Sequence, residues 1–589
     1  MTPEQKRIDN MILGTIRTLD PAVAAKLGAP TLAAGAEPNG HRTPVEPIIP
    51  DRPWPPDVGG GEGDEPDERP RIRVNGRELQ TVTTDALFAL RAANAPLYFR
   101  SGKLVRISPD EKGTPAIALV GENELRGEMA RSAVYVKVSG HEKNGETTYT
   151  ETEVSPPLDF VRDIRARDIA GMQSDLNLPD GELPFPALTS VTESPVLRSD
   201  GTILTTPGYD KQSGIFYIPD PEAGVPNIPD DPITDERLEA RDLILEMLCD
   251  FPFANDASRA NAFGFMLTPM LRRSINGHVP LAMINSPQSG TGKSLLIDVM
   301  GLASTGRRPA MKSAPREEEE WAKTLCATLA TGTTVCVFDN VDHKLNSSNL
   351  ALLITADMYE SRRLGVNTET LRYPNFCTWA ATGNNVQLGG DLPRRCYEIR
   401  LDAKMSQPWK REGFKHPQLL SWATTEKVRV QAALLTLIRA WFANGSPPNP
   451  KGTVLGGFEN WSRMVGDILA YADVDGFLGN LEEMYETADE DGAQWEAFLE
   501  AITETVGVDV PFTVAELCQR MENNSTLRET VPNVVDSASN HKKQGSFSRC
   551  IGRAFVRHVG TRFGKDGWHL ERAGTVNRAA RWVIRKQES

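Results

Sequence analysis

Lys293 and Ser294 close a short glycine-bearing run, "SPQSGTGKS", residues 286–294. A loop of this kind, set between a strand and a helix, turns its backbone N–H groups onto phosphate oxygens, and the helix N-terminus adds positive potential. The lysine of such a loop reaches the β- and γ-phosphates, and the hydroxyl after it binds Mg²⁺. Residues Pro287, Gln288, Ser289, Gly290, Thr291, Gly292, Lys293, Ser294 and Leu295 therefore form the candidate cradle for ATP, with Ser294 as a magnesium ligand. The usual spacing GxxxxGK[ST] departs at its first glycine, where Pro287 stands, and proline cannot take positive φ.

A cradle needs an acid beside it. "VCVFDNVD" is an apolar strand ending in Asp339, about 45 residues after Lys293. An acid at the tip of a neighbouring parallel strand can hold the magnesium water shell. Attack by water also needs a group that orients or deprotonates it. Asn340 can position a water but not take its proton, and Asp342 is the alternative base. The next strand ends "TWAATGNN", where Asn384 or Asn385 can touch the γ-phosphate or the attacking water. Arg394 or Arg395, in "GDLPRR", precedes a further strand. An arginine there is placed to reach a neighbouring subunit's nucleotide and neutralise transition-state charge in trans.

These residues must be carried by strands alternating with helices. Apolar strands at 279–285, 333–339, 376–382 and 396–401, with helical stretches between them, predict a largely parallel sheet over 234–408. Around this core the chain reads as multidomain. Residues 1–28 hold an amphipathic helix, and 29–73, rich in Pro, Gly and acid, read as a disordered linker. Residues 74–218 form an α+β domain with a hairpin at Ser101-Gly102, two or three short strands broken by Asp200-Gly201 and Pro207-Gly208, and no catalytic constellation; 219–233 is a connector. Residues 409–510 are helical, and 511–589 suggest a basic winged helix.

Composition is that of soluble globular protein: 589 residues, 39% hydrophobic and 24% charged. No apolar run reaches the length of a membrane span, no secretory signal opens the chain, and seven scattered cysteines without a CxxC pair argue against zinc and disulfides. A reducing cytoplasm is the expected compartment. The net charge of −14 hides a basic end: residues 541–589 carry twelve Lys or Arg against three Asp or Glu. Arg549, Arg553 and Arg557 fall at i, i+4 and i+8 on one helix face, with Arg562, Lys565 and Arg572 beyond, and aromatic residues punctuate the run. "SRRLGVNTETLRYPN" reads as a second candidate, a hairpin carrying Arg362, Arg363 and Arg372 toward nucleic-acid phosphates.

"SGTGKS", "VFDNVD", "SRRLGV", "ATGNN", "GDLPRR" and "IRLD", in that order, resemble the AAA+ ATPase core of superfamily 3 or poxvirus-type helicases, as in primase-helicases of phages and mobile elements. "PVLRSDGTILTTPGYD" resembles the segment that family carries upstream. The resemblance spans roughly residues 90–590. It implies a hexameric ring in a bacterial host cytoplasm, with ATP between subunits and DNA in the channel. It also implies Lys293 and Ser294 on ATP and Mg²⁺, Asp339 on Mg²⁺, Asn384 as sensor, and Arg394 or Arg395 as the finger. Two functions are consistent with this: a replicative DNA helicase or translocase, or an ATP-switched origin-binding or loading factor. The 74–218 domain is a candidate module for recruiting primase or polymerase.

Overall fold

The computed structural model describes residues 69–586 apart from 111–112, 144–145, 221–223, 363–369, 489, 534, 537–545 and 578. The predicted N-terminal helix and most of the 29–73 linker lie outside the described residues. Folded chain begins before the expected boundary at 74, because Arg71–Arg73 is a strand pairing in parallel with Val134–Val136.

The N-terminal unit is mixed, as its sequence suggests. Val134–Lys143 and Glu146–Val154 form a long antiparallel pair, and helices Leu79–Ala92, Glu122–Ser132 and Leu158–Ala166 enclose a small core with them. Tyr98–Arg100 and Lys103–Pro109 join through Ser101 (φ 49°) and Gly102 (φ 75°). Two consecutive left-handed residues give a turn whose twist matches the strands it links.

The central unit starts with helices α1 (Thr234–Leu248) and α2 (Asp256–Leu271). Then β1 (Leu281–Ser286), α3 (Lys293–Thr305), β2 (Ala310–Ser313), α4 (Glu318–Ala330) and β3 (Val335–Val341) alternate. Helix α5 (Ser348–Ile354), an antiparallel hairpin of β4 (Met358–Arg362) and β5 (Thr370–Pro374), and strands β6 (Thr378–Asn384) and β7 (Cys396–Arg400) complete it. Five strands make one parallel sheet in the order β2-β3-β6-β1-β7. Every residue of β1 is buried, which is why this strand reads as a continuous apolar run: helices cover both faces. Strand β2 has no such signature. It is four residues long at the sheet edge and alternates half-buried with exposed.

Two domain boundaries differ from expectation. Helix α6 (Leu419–Ala443) packs on α1 and α3, and α7 (Glu459–Tyr471) packs on α2. A single apolar core runs from the sheet through these helices to Met484, so the chain after 409 is not a separate domain. A new core begins with Trp495, Phe498, Leu499 and Ile502 on the helix Glu490–Val506 and extends to Ile584. It packs helices Val514–Glu522 and Phe547–Arg557 on a four-stranded antiparallel sheet, ordered 512–513, 579–585, 568–576, 562–563. Thr513 and Glu516 exchange hydrogen bonds at the start of the first of these helices (3.2 and 2.7 Å), a capping box that satisfies two otherwise orphaned amides. Among the described residues no helix is long and apolar enough to cross a membrane.

The candidate acid rests on an aromatic stack. Phe338, one residue before Asp339, lies between Trp321 of α4 (ring centres 4.6 Å) and Trp379 of β6 (5.9 Å, nearly coplanar). All three rings are buried. Truncating Phe338 to Ala should therefore cost about 3–5 kcal/mol through lost burial and a residual cavity. Urea unfolding followed by tryptophan fluorescence reads this directly, and a cost below about 1 kcal/mol would contradict the packing described.

Candidate phosphate-binding site

The register of the sheet assembles the site. Ser286 at the tip of β1 sits opposite Asn384 at the tip of β6, and Ile284 sits opposite Thr382. On the other side of β6, Phe338 pairs with Ala381, which brings Asp339 beside Thr382. All these polar groups lie at the carboxyl ends of parallel strands, where ligands of open α/β sheets bind.

Between β1 and α3 the loop turns at Gly290 (φ 80°) and Gly292 (φ 96°). These are the two positions that need the left-handed region, and both are glycine. Pro287 is no obstacle, because the turn does not ask positive φ of it. Its carbonyl accepts a hydrogen bond from Asn385 Nδ2 (3.3 Å), and the Asn385 amide donates to Ser286 O (3.0 Å). Gly290 is crowded as well: a methyl group there would lie 3.0 Å from the indole of Trp409, which leans on the loop while staying 61% exposed.

Lys293 opens α3 with its ammonium turned back into the loop. Nζ donates to Ser286 Oγ (2.5 Å) and Asn384 Oδ1 (2.7 Å). Burial pulls its proton affinity below the ordinary lysine value, and the nearby Asp339 charge opposes that shift. Its two hydrogen-bond acceptors are neutral, and no carboxylate lies within ion-pair distance among the described residues. Thr291 Oγ1 is buried in the same loop with no partner. A half-buried cation facing two left-handed glycine turns fits an incoming oxyanion, and the exposed Ser294 is free to meet its metal. Leu295 is 37% exposed, and the buried face of α3 is carried by Leu296, Ile297, Val299 and Met300.

Asp339 is oriented by a residue that sequence reasoning missed. Thr382 Oγ1 donates to Asp339 Oδ1 (2.6 Å) and accepts from the Asn340 amide (2.9 Å). Its signal was available, since Thr382 lies two residues before Asn384 and so on the same face of β6. Asn340 adopts φ 54° at a bulge in β3. Asn tolerates this conformation better than most side chains, which gives its presence a backbone reason. Asp342 is engaged by His343 Nδ1 (2.8 Å) and by Arg316 (2.9 Å). These contacts, His343 first, hold its carboxyl below the usual range, which weakens it as a base at neutral pH. A groove of about 430 Å³ runs over Asp339, Asn340, Asp342, His343 and Lys312.

Arg394 and Arg395 share a short 3₁₀ turn but not a role. Arg395 is anchored, donating to Ala351 O, Thr355 Oγ1 (2.6 Å) and Asp391 (2.9 Å). Arg394 has a 68% exposed side chain and a single partner, Asp391. Of the two, it can extend outward.

The candidate nucleic-acid residues are scattered. Arg362 ends β4, and Arg363 lies outside the described residues. Arg372 pairs across the hairpin with Glu360 (3.0 Å), so its charge is already engaged. Arg549, Arg553 and Arg557 are exposed along one face of the helix Phe547–Arg557, and Arg562, Lys565 and Arg572 are exposed on the strand and turns beside it.

No family model matches the chain, and no curated protein does. Among solved structures, the apo C-terminal region of NrS-1 is 12% identical, with 77% of this chain and 96% of that one covered and a TM-score of 0.30. An "SCCmec type IV Cch - active helicase" structure is also 12% identical, at 84% and 97% coverage and a TM-score of 0.30. The JCV helicase is 15% identical, at 45% and 71% coverage and a TM-score of 0.20. Likenesses this faint carry no weight, and the site stands on its own geometry.

Thr382→Val removes the acceptor for the Asn340 amide and the donor to Asp339 while keeping the side-chain shape. Hydrogen exchange at the Asn340 amide should speed up by up to roughly tenfold, the loss of about 0.5–1.5 kcal/mol expected for one part-buried hydrogen bond. Unchanged protection would show that Thr382 does not hold the tip.

Proposed function

We propose that this chain is an ATP-driven DNA helicase or translocase serving replication of a phage or mobile element. The observation that supports this most is the meeting of Lys293, Ser286 and Asn384 at the tips of β1 and β6, with Asp339 on the next strand. In this reading the Gly290–Ser294 bend holds the triphosphate, and Lys293 exchanges its two neutral partners for phosphate oxygen. Ser294 and Asp339 would hold Mg²⁺, which would supply neutralisation of the phosphate charge. Thr382 keeps Asp339 aimed, Asn384 contacts the γ-phosphate or the water that attacks it, and Arg394 extends to the nucleotide of a neighbouring subunit in a hexameric ring. The C-terminal unit is the DNA-binding element, read as a winged helix whose basic face is Arg549, Arg553 and Arg557. Its phosphate contacts are salt-dependent and weakly sequence-selective. The N-terminal unit serves as a docking module for primase or polymerase, and the host cell's cytoplasm is the compartment.

A second reading is favoured by one observation. No free carboxylate follows Asp339: Asn340 is an amide committed to a bulge and Asp342 is ion-paired. Slow hydrolysis suits an ATP-controlled origin-binding or loading switch.

Lys293→Ala should reduce DNA-stimulated ATP hydrolysis at least 100-fold and abolish separation of a forked duplex. Hydrolysis at the parent rate would end the ATPase reading. Parent protein that hydrolyses ATP and assembles on DNA yet never separates the fork would favour the switch. For the DNA face, the double variant Arg549→Gln/Arg557→Gln should weaken DNA binding across sequences and flatten the slope of log affinity against log salt by about 2. An unaltered slope would move the DNA contact elsewhere.

A further inference from the structure

Three arginines converge at the other end of the parallel sheet, beside the amino ends of β3 and β6, where the N-terminal unit meets the core. Arg100 comes from the strand Tyr98–Arg100, and Arg272 and Arg273 directly follow α2. They line a cavity of about 30 Å³ together with Thr189, Ser190 and Phe376. Arg100 and Arg272 are each only 5% exposed. Arg100 donates to the carbonyls of Leu188, Thr189 and Leu329. Arg272 donates to Gly277 O (3.1 Å) and Asn375 O (2.8 Å). Arg273 donates to Thr189 Oγ1 (2.8 Å) and Ser190 Oγ (3.1 Å), and its guanidinium carbon lies 3.4 Å from the centre of the Phe376 ring.

Carbonyls and hydroxyls satisfy N–H groups without neutralising charge. None of the three arginines has a carboxylate within ion-pair distance among the described residues. Among the described residues the carboxylate acting on the group is Asp357, felt by Arg272 together with the Cys377 thiol, while Arg100 feels the Tyr373 phenol; Asp357 is 75% exposed and faces His278. The Nε atoms of Arg100 and Arg272 are buried with no hydrogen-bond partner. Burial draws Arg273 down to about 9, with Arg272 and Arg100 adding repulsion. Aromatic faces offset part of this charge, Tyr373 under Arg100 and Phe376 under Arg272 and Arg273, but buried charge without a carboxylate is unfavourable, and a counter-ion in the void would stabilise all three.

We propose that this junction is an anion site that takes one small tetrahedral oxyanion, inorganic phosphate or sulfate, between Arg100, Arg272 and Arg273. Guanidinium forks match oxyanion geometry. The cavity has room for about two or three waters, which suits one free ion and excludes a nucleotide or a nucleic-acid strand. Because Arg100 belongs to the N-terminal unit and the other two to the core, the ion ties the two units together.

The test uses the full chain carrying Lys293→Ala, so that the phosphate loop does not contribute, in chloride buffer at fixed ionic strength. Added inorganic phosphate should raise the melting midpoint saturably, by about 2–4 °C. A further Arg273→Gln substitution should abolish the saturable part and leave only the general salting effect of such anions. In chloride alone that variant should melt no lower than its parent, since it removes like-charge repulsion. Equal phosphate responses with and without Arg273→Gln would overturn the proposal. Should Arg273→Gln not fold, ³¹P line broadening of phosphate by the Lys293→Ala chain, reversed by sulfate, decides the matter, and absence of broadening overturns it. If a DNA duplex reproduces the Arg273-dependent rise and free phosphate does not, the source is nucleic-acid backbone and the free-ion site is wrong.

Discussion

The alignment of Ser286 with Asn384 across β1 and β6 is the constraint on which the rest of the candidate site depends. Slipping this pairing by one residue would turn Asn384 to the other face of the sheet. Lys293 would then lose one of the two oxygens that hold its ammonium inside the loop. The buried residues of β1 and β6 prevent the slip, because helices cover both faces and each side chain has one place to go.

The same register organises the acid. Thr382 joins two strands through one hydroxyl, receiving the Asn340 amide and donating to Asp339. The bulge leaves the β3 ladder irregular between Phe338 and Val341; the threonine supplies the hydrogen bond that the ladder does not. Behind the acid, the rings of Trp321, Phe338 and Trp379 are buried and pack in sequence. A soft polar tip on a stiff aromatic base is an arrangement that can aim a carboxylate without burying it.

Continuity of the core bears on how the units communicate. Helix α3 carries Lys293 at its start and packs along α6, while α6 also packs on α1. The helix that starts at the phosphate loop is thus packed directly against helices far along the chain. The C-terminal unit has its own core, separate from the one that runs through the sheet.

Much of the site was legible because it is local. The glycine loop, the apolar strand ending in Asp339 and the polar tip at Asn384 each lie within one short segment whose pattern follows from strand burial and turn chemistry. The hairpin at Ser101-Gly102 was legible for the same reason. The edge strand Ala310–Ser313 was not, since four half-exposed residues carry no burial pattern. Nor was the sharing of one core by 234–408 and the helices after it, which is a property of packing between distant segments. By itself the sequence determined the buried strands around the loop, their order, and the backbone freedom at Gly290 and Gly292. Only the tertiary structure decided between neighbours of the same type. Asn384 faces Lys293 while Asn385 braces Pro287, and Arg394 is exposed beside Asp391 while Arg395 is anchored to α5. Those choices depend on which way a side chain points across strands far apart in the chain, and that is set by register and packing, which no single segment contains.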